Sequence, residues 1–296
     1  MRSGFVAVVG RPNVGKSTLV NALVGSKVSI TSTKPQTTRN TIRGVMTRSE
    51  GGVPVAQAVL VDTPGLHKPK TALGERLNAM VQGTLNEADC VVVVFDALAP
   101  VGPGDRRVAE RAKASGSPVL CVINKVDRAK PAAVAERLAE ASEWDFDVYV
   151  PTSATTGEAV ETLSNAIVER LDEGPMFFPS DATTDQPEHL VVGEIIREKF
   201  LDRLRDELPH SLVVRVREME ERANGTLYID AQAIVERDSQ KGIIIGKGGE
   251  LLKTAGAESR EELERLFGTS IYLDLRVRVE KDWQQRPNIL DRFGFE

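Results

Sequence analysis

From residue 5 to residue 172 the chain alternates two hydrophobic rhythms. Short apolar runs without polar interruption, such as Phe5–Val9 and Val91–Ala97, read as buried parallel strands. Further runs begin at Ile42, Val55, Leu120 and Val148. Between them lie stretches with apolar residues at helical spacing: Leu19, Val20, Leu23 and Val24, stopping at Gly25, then 105–113, 131–142 and a helix begun at Thr156 or Gly157. Runs 42–47 and 55–62 flank Gly51-Gly52 and predict a hairpin. The alternation predicts an α/β domain over residues 1–173, a mostly parallel sheet with helices on both faces.

Residues 174–188 break that rhythm. Within EGPMFFPSDATTDQP three prolines interrupt any period, which predicts a linker with Phe177 and Phe178 docked on a domain. Residues 189–296 then change pattern: helix 190–207, strand 211–218, strand 226–237, a glycine loop, helix 250–267 and strand 271–281. That order predicts an α+β domain. In its first helix Val192, Ile195, Ile196, Phe200, Leu204 and Leu208 form one stripe, read as core-facing rather than membrane-facing.

Composition narrows the picture. The 296 residues carry 41% hydrophobic and 27% charged residues, ordinary for globular domains, and a net charge of -5. Bulk attraction does not hold nucleic acid on such a chain, so any such partner needs a local patch. Cys90 and Cys121 border apolar runs and read as buried thiols in a reducing cytoplasm. No run approaches the length of a membrane span, and the opening strand is no signal peptide.

Chemistry gathers where the apolar strands end. GRPNVGKST, Gly10 to Thr18, follows a strand and opens a helix, the context of a Walker-type phosphate loop. Its glycines let backbone amides face a phosphate at a helix N-terminus. Lys16 can neutralise β/γ oxygens and Ser17 can coordinate Mg²⁺. The hydroxyl-rich stretch 26–40 stands where a nucleotide-sensing switch belongs, with Thr37 or Thr38 offering a hydroxyl to Mg²⁺. Asp62, in DTPG at the end of the next strand, can hold Mg²⁺, and the Gly65 amide can touch a γ-phosphate. In NKVD, Asn124, Lys125 and Asp127 suit guanine, whose N1–H and N2–H₂ pair a carboxylate can accept together. At Ser153 and Ala154 small residues bring backbone amides toward the guanine O6. Downstream, Gly246-Lys247-Gly248-Gly249, with Lys241 and Lys253 nearby, has the form of the GxxG clamp that KH domains close on about four nucleotides of single-stranded RNA.

The four boxes GRPNVGKS, DTPG, NKVD and TSA resemble the translation-factor-related GTPases, and KVSITSTKPQTTRN followed by DTPGLHKP resembles the Era family of bacterial Ras-like GTPases. The resemblance runs from Phe5 to the C-terminal tail and implies a P-loop GTPase domain followed by a type II KH domain. It implies nucleotide contacts from Asn13, Val14, Gly15, Lys16, Ser17, Thr18, Asp62, Gly65, Asn124, Lys125, Asp127, Ser153 and Ala154. Mg²⁺ would sit on Ser17, Thr38 and Asp62; hydrolysis of GTP to GDP would draw on Lys16, Thr38 and Gly65, with Thr38 preferred to Thr37. RNA would be gripped by Gly246, Lys247, Gly248, Gly249, Lys241 and Lys253. Leu66 departs from the Ras pattern, which places a water-orienting glutamine after the glycine, so unaided hydrolysis is expected to be slow. In similar proteins an asparagine matching Asn13 holds a K⁺ in place of an arginine finger. The implied partners are the 3′ end of small-subunit ribosomal RNA and the 30S-type subunit during its maturation. The chain is expected to be a cytoplasmic monomer, with peripheral membrane contact left open. Two other readings are an RNA-binding scaffold with a non-cycling nucleotide site, and a P-loop kinase or ATPase, which NKVD disfavours.

Overall fold

The computed structural model describes residues 1–32, 34, 37–66, 69, 71–204 and 208–295. Two compact units divide at Asp185/Gln186. The first holds β1 (Arg2–Gly10), α1 (Lys16–Val24), β2 (Ile42–Glu50), β3 (Val53–Asp62), α2 (Ala72–Glu87) and β4 (Cys90–Asp96). It continues through α3 (Pro103–Ala114), β5 (Val119–Asn124), α4 (Pro131–Ala141), β6 (Val148–Thr152) and α5 (Val160–Glu169). Its sheet runs β2-β3-β1-β4-β5-β6, with β2 antiparallel to β3 and every other pairing parallel.

Strand alternation divides the core between the two faces. Val6, Val8, Val92 and Val94 pack against Leu19, Val20 and Leu23 of α1 and Leu163 and Ile167 of α5. Ala7, Val9, Val91 and Val93 meet Val81 and Leu85 of α2, Val108 and Ala112 of α3 and Ala141 of α4. Both faces being covered, the strands need no polar alternation, which is why they read as continuous apolar runs. Cys90 and Cys121 are free and buried in these layers, and burial pushes the Cys90 thiol up to about 12, far from reactive thiolate chemistry.

Two expectations shift. The helix expected from Thr156 or Gly157 begins at Val160 instead. Ser153 pairs with Glu158 across a turn, and Gly157 and Ala159 take positive φ, which no continuous α-helix accommodates. The stretch read as a linker is held against the first unit as far as Asp185. Gln57, fully buried on β3, accepts from the Phe177 and Phe178 amides at 2.8 and 3.0 Å and donates to the Phe178 carbonyl at 2.9 Å. Phe177 meets the Phe5 ring, and Val45 N on β2 donates to Thr183 O at 2.8 Å.

The second unit contains α6 (Glu188–Leu201), α7 (Leu208–Ser211), β7 (Val213–Glu221), β8 (Leu227–Val235), α8 (Asp238–Ile245), α9 (Glu250–Phe267), β9 (Ile271–Val279) and α10 (Pro287–Arg292). Its sheet is β7-β8-β9, antiparallel then parallel. Helix α6 ends at Leu201, short of the expected 207; residues 205–207 lie outside the described residues. The stripe from Val192 to Leu208 is buried against Ile229, Ala231, Ala233 and Val235 of β8, as its spacing predicted. On α9, Glu262 pairs with Lys199 of α6 and Glu258 with Arg203.

Candidate nucleotide site and nucleic-acid clamp

The phosphate loop is the turn between the end of β1 at Gly10 and the start of α1 at Lys16. Gly15 has φ +97°, and a Cβ there would stand 2.3 Å from Nδ2 of Asn124, so neither the backbone conformation nor the space admits a side chain. Val14 is buried, Asn13 is exposed in the left-handed region at φ 64°, and Thr18 is half-buried on α1. Lys16 is buried and its Nζ donates to the Gly10 and Arg11 carbonyls at 3.3 and 3.1 Å, bent back over its own loop. Burial brings its pKa down to about 8, partly opposed by the Asp62 carboxylate. Arg11 is tied by Nε to Asp105 Oδ1 at 2.7 Å, and Asp105 also accepts from Gly102 N, so the loop is braced on the first turn of α3.

Three oxygen-bearing side chains meet beneath Lys16. Ser17 Oγ donates to Asp62 Oδ2 at 2.6 Å, Thr38 Oγ1 lies 2.8 Å from Ser17 Oγ, and Thr38 Oγ1 reaches the same carboxylate oxygen at 3.4 Å. Parallel pairing sets Asp62 beside Val8, bringing the end of β3 under the loop that follows β1. Asp62 is fully buried and its other oxygen, Oδ1, has no hydrogen-bond partner. Burial raises its pKa above the ordinary carboxylate value, while the Lys16 charge and the Ser17, Ser29 and Thr38 hydroxyls pull it down. An all-oxygen set with an unspent buried carboxylate oxygen fits a hard divalent cation such as Mg²⁺. Gly65 lies against Pro12, where a Cβ would come within 2.7 Å of the Pro12 nitrogen. Leu66 turns away, 4% exposed among Val9, Val81 and Leu85, so its side chain belongs to the core.

At the base end, Asn124 is 2% exposed and acts as a brace. Its Nδ2 donates to Val14 O at 2.9 Å and its Oδ1 accepts from Ala154 N at 3.1 Å, fastening the phosphate loop to the loop after β6. Lys125, at φ 70°, reaches back to Asn13 O at 2.6 Å and pairs with Asp96 Oδ2 at 2.7 Å. The Asp127 carboxylate accepts from Ser153 Oγ at 2.7 Å. These contacts gather the loops after β1, β3, β5 and β6 at the C-terminal edge of the parallel sheet, where open α/β sheets bind ligands. Asp96 and the Arg11–Asp105 pair escaped the sequence reading. Asp96 carried a usable signal, a carboxylate ending an apolar strand like Asp62; Arg11 and Asp105 carried none.

In the second unit a helix unforeseen in the sequence, α8, precedes the glycine loop, so Gly246–Gly249 joins two helices. Gly246, Gly248 and Gly249 all take positive φ, at 76°, 63° and 81°, turning the chain within four residues. Lys247 and Gly248 are exposed at its tip, Lys253 is exposed on α9 and Lys241 is half-buried on α8. The isoleucine triplet divides: Ile244 is fully buried and Ile243 is 56% exposed.

Residues 5–125 match the family described as 50S ribosome-binding GTPase, and residues 207–284 match the KH domain. Fold and site together define a P-loop GTPase that carries a C-terminal KH domain. GTPase Era of Mycolicibacterium smegmatis is 48% identical over 99% of both chains, and GTPase Era of Heliobacterium modesticaldum is 44% identical over 100% of this chain and 98% of that one. Crystal structures of a point variant of Aquifex aeolicus Era bound to GDP·AlF4⁻, and of Era in complex with MgGDPNP and nucleotides 1506–1542 of 16S ribosomal RNA, superpose with TM-scores of 0.94. They are 38% and 39% identical, and each covers 100% of this chain and 99% of its own. This chain belongs to the Era family of GTPases.

Proposed function

We propose that the chain is a guanine-nucleotide switch, turning over GTP in Mg²⁺, that binds the 3′-end region of small-subunit ribosomal RNA and assists maturation of the small ribosomal subunit. The observation that carries this is the meeting of Ser17, Thr38 and Asp62 under Lys16, in a chain that also holds the Gly246–Gly249 loop between two helices. Intact Lys16, Ser17 and Asp62 speak against a non-cycling scaffold. The related Era crystallised with MgGDPNP and a 16S ribosomal RNA fragment supports both halves of the reading.

Ser17, Thr38 and Asp62 would hold Mg²⁺, which when bound neutralises charge on the β/γ oxygens. Lys16, bent onto Gly10 and Arg11, exchanges those carbonyls for phosphate oxygens, whose charge favours its ammonium form. Asn124 and Lys125 set the loops, Asp127 accepts from the guanine N1–H and N2–H₂, and the amides at Ser153 and Ala154 face O6. Thr38 and Gly65 feel the γ-phosphate, and its loss releases the segments that carry them. The stretch 26–40 is that switch, with Thr33, Pro35 and Gln36 outside the described residues. Since Leu66 cannot orient water, hydrolysis draws on another group, and a K⁺ held by the exposed Asn13, as the family resemblance implies, would serve that purpose. On the RNA side, Gly246, Lys247, Gly248 and Gly249 grip the backbone, with Lys241 and Lys253 supplying charge. The division of labour follows residues 1–173, 174–188 and 189–296. We place the work in the cytoplasm, by a monomer whose membrane contact, where it occurs, is peripheral; among the described residues no helix is long and apolar enough to cross a membrane.

The test measures phosphate release from GTP with Mg²⁺, with and without K⁺, and crosslinks the chain to 30S particles in GTP and GDP forms. Guanosine-specific, Mg²⁺-dependent turnover with nucleotide-dependent crosslinks to the 3′ end of 16S RNA is expected. ATP competing equally with GTP, or identical crosslinks in both forms, would refute it.

A further inference from the structure

In the second unit helices α6, α8 and α9 cover one face of the sheet: odd-numbered β8 residues from Ile229 to Val235 pack with Val192, Ile244 and Leu263. Alternation sends Tyr228, Asp230, Gln232 and Ile234 to the opposite face, joined by Arg215 of β7 and Arg276 of β9, which flank Gln232 in register. Arg278 stands beside Ile234 in the same way.

On this opposite face, bounded at one end by Arg292 and Phe293 at the end of α10, lies a cavity of about 410 Å³, within the range of small-ligand sites, about 300–1,000 Å³. Arg215, Arg217, Arg278 and Arg292 line it against a single carboxylate, Glu280. Glu280 is already paired with Arg292 and Arg286, each at 3.0 Å, and Arg217 finds Asp230 only at 3.6 Å. Among the described residues, Arg215 and Arg278 have no carboxylate at ion-pair distance. Arg215 instead lies 5.5 Å over the Phe293 ring, and burial together with the Arg292 charge pushes its pKa below the ordinary guanidinium value. At the cavity wall Gln232 is 7% exposed, and its Nε2 donors have no partner. Unpaired guanidiniums around an unspent buried amide lack an anion, and planar forks of this kind suit phosphate.

The same face supplies aromatic rings. Tyr272, 56% exposed on β9, stacks on Tyr228 at 5.9 Å, and Arg222 lies over both rings. Arginines for phosphates and rings for bases on one sheet face are the equipment of single-stranded nucleic-acid binding. We infer that the sheet face opposite α6, α8 and α9 is a second RNA-binding surface, whose arginine cavity takes a phosphodiester group while Tyr272 stacks a base. It rests on the RNA-binding reading above and adds a site across the sheet from the Gly246–Gly249 clamp.

The test uses the full chain in GTP-analogue form and two RNAs followed by fluorescence anisotropy across a salt series. One is the 1506–1542 fragment of 16S ribosomal RNA; the other is a single strand of about four nucleotides, the span of one GxxG clamp. Arg278→Glu alters an exposed side chain with no ion-pair partner among the described residues, and unchanged RNA-free GTP turnover and thermal melting certify its fold. It should weaken the long RNA at least about tenfold and flatten its logarithmic salt slope by about 0.7 per lost single-strand phosphate contact, leaving the short strand unchanged. Gly248→Asp should weaken both RNAs. An Arg278→Glu protein that binds the long RNA like wild type, or loses both RNAs equally, overturns the inference. So does Arg278-dependent binding of phosphatidylglycerol vesicles without an RNA effect, which marks a lipid site, or displacement of the long RNA by millimolar inorganic phosphate, which marks a simple anion site. If Gly248→Asp has no effect while Arg278→Glu does, the clamp reading fails and the new surface stands; if wild type binds neither RNA, both fall.

Discussion

Replacing Asn124 by alanine tests whether that side chain is a brace. It is 2% exposed and makes two hydrogen bonds, to Val14 O at 2.9 Å and from Ala154 N at 3.1 Å, whose owners are themselves 1% and 9% exposed. Asn124→Ala therefore strands a buried carbonyl and a buried amide. Each costs about 1–3 kcal/mol, and a water entering the vacated space recovers part of that, leaving a loss of about 2–4 kcal/mol. Urea denaturation of the nucleotide-free protein, followed by circular dichroism, should show that loss with an unchanged slope. GDP affinity should fall at least about tenfold, because binding must then reorder both loops. Selectivity should hold: the preference for guanosine over xanthosine nucleotides should survive Asn124→Ala and reverse in Asp127→Asn, whose amide no longer accepts from both guanine donors. A wild-type urea midpoint for Asn124→Ala together with lost guanine preference would show that the side chain reads the base and braces nothing.

Three further outcomes follow from the same geometry. Lys16 has a folded-state pKa of about 8 against an ordinary value of 10.5, so above pH 8 the unfolded chain holds more protons and stability of the nucleotide-free protein should rise toward pH 10.5. The rise is worth up to about 3 kcal/mol, and thermal melts of Lys16→Met across that window should lack it. Leu66→Gln buries an amide among Val9, Val81 and Leu85, so melting should report a loss of about 2–3 kcal/mol and phosphate release should not accelerate; faster turnover at full stability would contradict the core placement. Gly248 has open space around it but φ 63°, so Gly248→Asp should cost about 1–2 kcal/mol in stability and at least tenfold in affinity for a short RNA, read by anisotropy.

Much of the site was legible because phosphate and guanine recognition rest on short local segments. GRPNVGKST announces its turn by its glycines and its helix by the spacing beyond, and DTPG and NKVD announce themselves as polar groups where apolar strands stop. The turn after Ser153 was misread because Gly157 and Ala159, compatible with a helix in the sequence, adopt positive φ to let Ser153 pair with Glu158. Helix α8 was hidden because only Ile244 of its isoleucine triplet is buried, which leaves no stripe to detect.

The sequence by itself determined most of the strand and helix alternation, though neither α2 nor α8, along with the apolar layers on both faces of the parallel sheet and the segments proposed to hold nucleotide and RNA, since these depend on local periodicity and on residue types with few alternatives. Only the tertiary structure decided that Asn124 fastens two loops, that Asp96 holds Lys125, that Gln57 clasps the chain at Phe177 and Phe178, and that Leu66 turns inward. It also decided that arginines from β7, β9 and α10 share one cavity. Those relations join residues far apart in the chain through strand register and packing, and no local pattern encodes which distant partner a buried polar group will meet.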